Sequence, residues 1–207
     1  MLTEFEKGDV MRKLERSDLF SLEDYHSTRA NMRAKVMAHK SSRYVHIGKH
    51  ILIAFEDRLT IQYQIQEMLR VERIFETEAI DEELLAYNPL IPDGNNLKAT
   101  FMLRFDDPVA RRSALRKLVG IEKRVWLAFN NGKRIFAIAD EDLERSDENK
   151  TSAVHFLRFQ LDDEEISIAS KEDIWTVGID HVNCEELQQD ISESTVSSLR
   201  EDFFDEK

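Results

Sequence analysis

The chain has 207 residues, 42% of them hydrophobic, and a formal net charge of −12. That size and apolar content support a buried core without staples, and the negative charge opposes binding to phosphate backbones, which draws on Lys and Arg. Cys184 is the sole cysteine, which excludes an internal disulfide, a Cys-based zinc site and any cluster held by several thiolates of one chain. No window reaches the roughly 18 apolar residues of a membrane span, and the polar start Met1 to Lys7 lacks the apolar stretch of a secretory signal. The expected setting is the cytoplasm, with neither membrane nor nucleic acid as a partner.

Residues 1–16 carry no period and read as a loose N-terminal arm before a single α+β domain over 17–204. Ser21, followed by Glu23 and Asp24, marks a helix start, and the helix runs to about Lys40. Leu22, Tyr25, Met32, Val36 and Met37 share a side of it with Arg29 and Arg33. Two guanidinium groups one turn apart on an apolar stripe either snorkel at its edge or pair with a buried acid. The basic residues Arg29, Arg33, Lys35, Lys40 and Arg43 lie early, whereas the chain after Asp140 is dense in Asp and Glu.

Tyr44 to Phe55 reads as a hairpin with Gly48-Lys49 as a two-residue turn. That register puts Tyr44, His46, Ile51, Ile53 and Phe55 on one face and His50 with the other set. A helix follows through residues 61–75, then a shorter one near Glu78 to Ala86, and then the loop Tyr87 to Asn96 with its prolines and glycine. Leu97 to Phe105 suits a central strand covered on both sides. Asp107-Pro108 caps a helix that displays Arg111, Arg112, Arg116 and Lys117 and that Gly120 closes.

Val125 to Ile138 reads as a second hairpin, with Asn131-Gly132 as its turn and Val125, Leu127, Phe129, Phe136 and Ile138 on one apolar face. Asp140 to Lys150 is a charged connector with room for a helical turn or two. Ala153 to Leu161 and Trp175 to Ile179 are strands, and from Glu185 onward Leu187, Ile191, Leu199 and Phe203 follow a helical period. The whole predicts an α+β fold, an antiparallel-rich sheet with two hairpins packed by several helices.

Two polar residues fall in apolar slots. Ile61, Ile65, Met68, Leu69 and Phe75 define one helix face, and Glu72, seven residues after Ile65, projects within about 20° of it. A carboxylate buried there needs a partner, with Arg29, Arg33, Arg104 and His155 as the candidates. His155 shares its strand face with Ala153, Leu157, Phe159 and Leu161, so it is either a hydrogen-bonded core residue or a member of a polar cluster with Glu72.

Adding Asp180 and His181 from Gly178-Ile-Asp-His181 gives Glu72, His155, Asp180 and His181, a nitrogen and oxygen set suited to iron, manganese or zinc. No HExxH or Glu-x-x-His spacing supports that set, and G-x-G-x-x-G, the G-x-x-x-x-G-K-[ST] phosphate loop and G-x-S-x-G are all missing. Cys184 sits among Asn183, Glu185 and Glu186, whose charge disfavours a thiolate.

Tyr63-Gln-Ile-Gln-Glu-Met-Leu-Arg-Val-Glu-Arg-Ile74, Tyr87-Asn-Pro-Leu-Ile-Pro92, Leu97-Lys-Ala-Thr100, Ala139-Asp-Glu-Asp-Leu-Glu-Arg145, Thr151-Ser-Ala-Val-His-Phe-Leu-Arg158 and Gly178-Ile-Asp-His181 carry a resemblance. Over most of residues 14–200 the chain resembles an uncharacterised bacterial family catalogued as a domain of unknown function; the stretch before Leu14 departs from its pattern. The family supplies no catalytic residue to carry over. Its genes often lie beside those of rubrerythrin-like di-iron proteins and iron–sulfur oxidoreductase subunits, so the resemblance implies an accessory role in iron-dependent or peroxide-related redox chemistry.

Three functions stay open. One is an accessory protein that docks an iron-containing redox partner through Arg111, Arg112, Arg116 and Lys117. Another is a metal-binding protein or metal-dependent enzyme built on the Glu72 set, and the third is a homo-oligomeric structural protein in which Glu72 pairs with an arginine.

Overall fold

The computed structural model describes residues 12–203; residues 1–11, most of the expected arm, and residues 204–207 lie outside the described residues. From Lys13 onward the chain is docked and not loose. Leu14 is buried, its backbone N–H donates to Asn88 Oδ1 at 2.8 Å, and Lys13 reaches Asp93 at 2.6 Å.

Helices α1 (Leu22–Ser41), α2 (Arg58–Glu72), α3 (Thr77–Tyr87), α4 (Pro108–Lys117), α5 (Asp163–Lys171) and α6 (Glu193–Arg200) are distributed among nine strands. These are β1 (Tyr44–Ile47), β2 (Ile51–Glu56), β3 (Asn96–Leu103), β4 (Val125–Phe129), β5 (Ile135–Phe136), β6 (Ile138–Ala139), β7 (Val154–Gln160), β8 (Trp175–His181) and β9 (Cys184–Asp190). Two antiparallel sheets result, ordered β1-β2-β3-β7-β6 and β5-β4-β8-β9. Strands β5 and β6 are separated only by Ala137, so one extended segment crosses from sheet to sheet. The α+β architecture in a single domain is as the pattern predicts.

The facing sides of the sheets enclose the main core. It takes alternate residues of each strand, among them Val45, Ile53, Phe55, Leu97, Phe101, Leu127, Leu157, Phe159, Trp175 and Val177, and α6 closes it with Val196 and Leu199. Such alternation is what a half-covered strand requires. β3 is central, but only one of its faces is fully covered, because Lys98, Thr100 and Met102 are half-buried. A second, smaller core joins Ile61, Ile65 and Leu69 of α2 to Leu84, Ile91 and Leu14.

Four expectations are corrected. In the first hairpin Gly48 has the left-handed φ of 59° expected of it, but the loop takes three residues before Ile47 pairs with Ile51. In the second, Asn130 and Asn131 supply the left-handed pair, with Gly132 N–H on Phe129 O at 2.8 Å, and Leu127 pairs with Ile135. A slip of one residue reverses a strand's faces. Tyr44 and His46 therefore stand opposite Ile51, Ile53 and Phe55, and Ile135 and Ala137 turn inward while Phe136 and Ile138 stay exposed.

Residues 184–190 form strand β9 rather than the beginning of a helix, because helical spacing of Leu187 and Ile191 across a polar stretch also fits an edge strand; Ser192 is where the last helix is capped. Finally, the connector after β6 contains no helix, and its side chains bond to each other instead.

Candidate functional site

Glu72 is exposed. It is the last residue of α2, and Arg73, in the left-handed conformation with φ 57°, ends the helix before the apolar face can continue to Phe75, itself 71% exposed. The acid that α1 does engage is Glu67. Arg29 grips it with Nε at 2.7 Å and Nη2 at 2.9 Å, and Tyr25 donates its hydroxyl at 2.6 Å. The Arg29 bonds, with help from Tyr25, hold the Glu67 carboxyl down at about 2 against the cost of its partial burial. Arg33 and Arg104 are exposed, and the backbone of Arg104 is paired with His50.

His155 is fully buried on the inner face of β7, where the alternation placed it. Its companions come from elsewhere than α2. Nδ1 donates to Asp140 Oδ2 at 2.6 Å; Nε2 lies 2.8 Å from Thr151 Oγ1, 3.1 Å from the Ser152 carbonyl and 4.0 Å from Glu122 Oε2.

Both ring nitrogens face oxygen atoms, between the carboxylates of Asp140 and Glu122. Asp140 holds a left-handed φ of 52° to reach its partners and also accepts from Phe156 N–H at 3.1 Å and from Arg145 at 3.3 Å. Thr151, Asp140 and His155 have the order of a nucleophile relay, yet Thr151 is 2% exposed and its hydroxyl also contacts Ser146 and Glu122. The cluster joins the loop after β6 to β7 and to the short 3-10 helix Ile121–Arg124.

Asp180 and His181 face other neighbours. His181 Nε2 donates to Val119 O at 3.0 Å while Nδ1 accepts from Asn183 N–H, and Asp180 lies 3.8 Å from Arg124. The set Glu72, His155, Asp180 and His181 therefore does not converge. Among the described residues no three His, Cys, Asp or Glu side chains are arranged to hold an ion.

A second buried cluster went unread in the sequence. Arg43, about 1% exposed, donates to the carbonyls of Phe55, Glu56 and Ser198, contacts Asp57 at 3.4 Å and bonds Asp202 near the end of the described chain. His39 holds the same oxygen of Asp57, whose other oxygen accepts from Thr60 N–H at 2.8 Å. Glu56 is satisfied by the hydroxyls of Thr60 and Thr100, each at 2.6 Å. Glu56 closing an otherwise apolar run was the available signal; Arg43 offered none, because no period surrounds it.

α4 is the opposite case. Asp107 caps it through Ala110 N–H at 2.7 Å, Pro108 occupies its first turn and no residue of it is buried. Arg111, Arg112, Arg116 and Lys117 are exposed and form no ion pair among the described residues. Val109, Arg112, Ser113, Arg116 and Lys117 line a shallow depression of about 380 Å³.

Fold and site together define a two-sheet α+β protein with interior ionic clusters and an exposed cationic helix. The chain belongs to the family described as "Protein of unknown function (DUF3501)", whose model matches residues 13–203. It is similar to the crystal structure of a novel protein of unknown function from Burkholderia pseudomallei, with 44% identity, a TM-score of 0.88, and coverage of 93% of this chain and 100% of that one. No curated protein matches. Among the described residues no helix is long and apolar enough to cross a membrane.

Proposed function

We propose that the protein is an accessory factor that docks an acidic partner through α4, and that the partner is an iron-containing redox protein of the class the family resemblance suggests. The observation that carries this reading is a helix with no buried residue whose four cations form no ion pair among the described residues, in a chain of net charge −12. Exposed cations on an acidic protein are available to an opposing acidic surface, where they would steer encounter and fix register. Val109, 64% exposed at the start of the same helix, adds an apolar contact.

The test is affinity capture from cell extract at low and high salt, using the wild-type chain and a charge-reversed variant, Arg111→Glu, Arg112→Glu, Arg116→Glu, Lys117→Glu. Expected is an iron protein retained by the wild type at low salt, released as salt rises, and absent with the variant. Recovery of no such partner, or equal recovery with the variant, overturns the proposal.

A further inference from the structure

Arg43 and Asp202, each about 1% exposed, tie α6 to the chain just before β1. The single guanidinium faces two carboxylates, Asp202 on Nη2 and Asp57 at 3.4 Å from Nε. Their situations differ. Asp57 has His39 and the Thr60 N–H as further donors, whereas Asp202 Oδ1 is buried with no hydrogen-bond partner among the described residues. A full charge on a buried oxygen without a donor is costly, and two carboxylates that share one cation are relieved when one of them holds a proton.

We infer that Asp202 is a proton-binding site that sets how tightly the C-terminal helix α6 is held against the fold. With its proton, Asp202 accepts from Arg43 as a neutral acid and the guanidinium is left to balance Asp57. Without it, a second buried charge competes for the same cation and the docking of α6 weakens. The described charged groups facing the site fit this assignment: Glu56 on β2 is already held by two threonines, the His39 ring on α1 contacts Asp57, and Glu201, just after α6, adds negative charge.

Burial pushes the Asp202 carboxyl up to about 7, with Asp57 and Glu201 adding to the rise and Arg43 opposing it. The raised acid gives full docking below its ordinary range and progressively less as pH climbs towards 7, above which the loss is complete. What it controls is concrete: Val196, Leu199 and Phe203 cover the end of the main core, with Phe203 6.2 Å from the Trp175 ring.

Hydrogen exchange on the full chain between pH 6 and 8, normalised for intrinsic exchange, tests this. Protection of residues 193–203 should fall as pH rises from 6 through 7, by up to about tenfold per pH unit, the limit for loss of one proton, and level off above 7, while the β2–β3 pairing stays protected. Asp202→Asn should abolish that dependence, and His39→Gln should retain it.

Constant protection of α6 across the range, or the same fall in Asp202→Asn, overturns the inference. The carboxyl resonance of Asp202 in the wild-type protein decides independently of any variant. A midpoint near neutrality supports the site, and one near the ordinary value of about 4 removes it.

Discussion

Glu67 and Glu72 lie five residues apart on α2, and only the first meets α1. Substituting Glu67→Gln removes the charge that Arg29 grips from two nitrogens and leaves the Tyr25 hydroxyl a weaker acceptor. The expected cost is about 1 kcal/mol, in the range of partly exposed ion pairs, read as a lower urea midpoint. Glu72→Gln should leave the midpoint unchanged or raise it slightly, since Glu72 helps push up the carboxyl of Glu83, which burial already raises.

The opposite ranking would restore the interior role that helical periodicity gave Glu72. Periodicity identifies which residues would share a face if the helix continued; it does not say where the helix stops. Arg73 adopts the left-handed conformation without the usual glycine, so the stop was invisible in the residue types. His155 was legible because strand alternation needs no end point. Its partners were not, since Asp140 and Glu122 approach it from a loop and a 3-10 helix that follow no period.

At the level of strands, the second sheet is built around one close approach. Trp126 on β4 pairs with Gly178 on β8, and a Cβ on Gly178 would stand 2.3 Å from Trp126 Cζ2. Arg134 covers the same indole with its guanidinium 4.3 Å from the ring centroid. Gly178→Ala should therefore cost about 1–3 kcal/mol by overpacking, and the cost should shrink below about 1 kcal/mol in a Trp126→Leu background. Urea denaturation of the four proteins of that cycle gives the coupling, and additive effects would show that the indole is not what Gly178 accommodates.

The strand Trp175–Ile179 was readable from its apolar run, and α1, α4 and both hairpins from the caps and turn residues that announce them; α3 was placed without a cap, and its N-terminus has no side-chain cap bond. Register was not. Asn130, Asn131 and Gly132 each tolerate the turn, and the choice among them moves every side chain of β5 to the other face.

For the molecule as a whole, the buried carboxylates pull stability in opposite directions with pH. Asp57 is held down to about 2 by Arg43 and His39 despite nearly complete burial, and Glu67 is held at about 2. Acids whose folded values are depressed contribute stability above their unfolded values, and that contribution is lost as pH falls through the folded ones. For Asp57 alone the loss is on the order of 2 kcal/mol, spread between about pH 4 and 2.

Asp202, raised to about 7, runs the other way: its contribution is complete below about pH 4 and disappears as pH rises through 7. The sum predicts a stability maximum near pH 5, displaced from neutrality by a single buried acid. Urea midpoints measured from pH 3 to 8 should trace that dome. In Asp202→Asn the decline between pH 5 and 8 should flatten while the acid limb, which belongs to Asp57 and Glu67, stays in place. A wild-type midpoint that keeps rising to pH 8 would mean that Arg43 neutralises both of its carboxylates, and that the ionic cluster beneath α6 is a fixed joint.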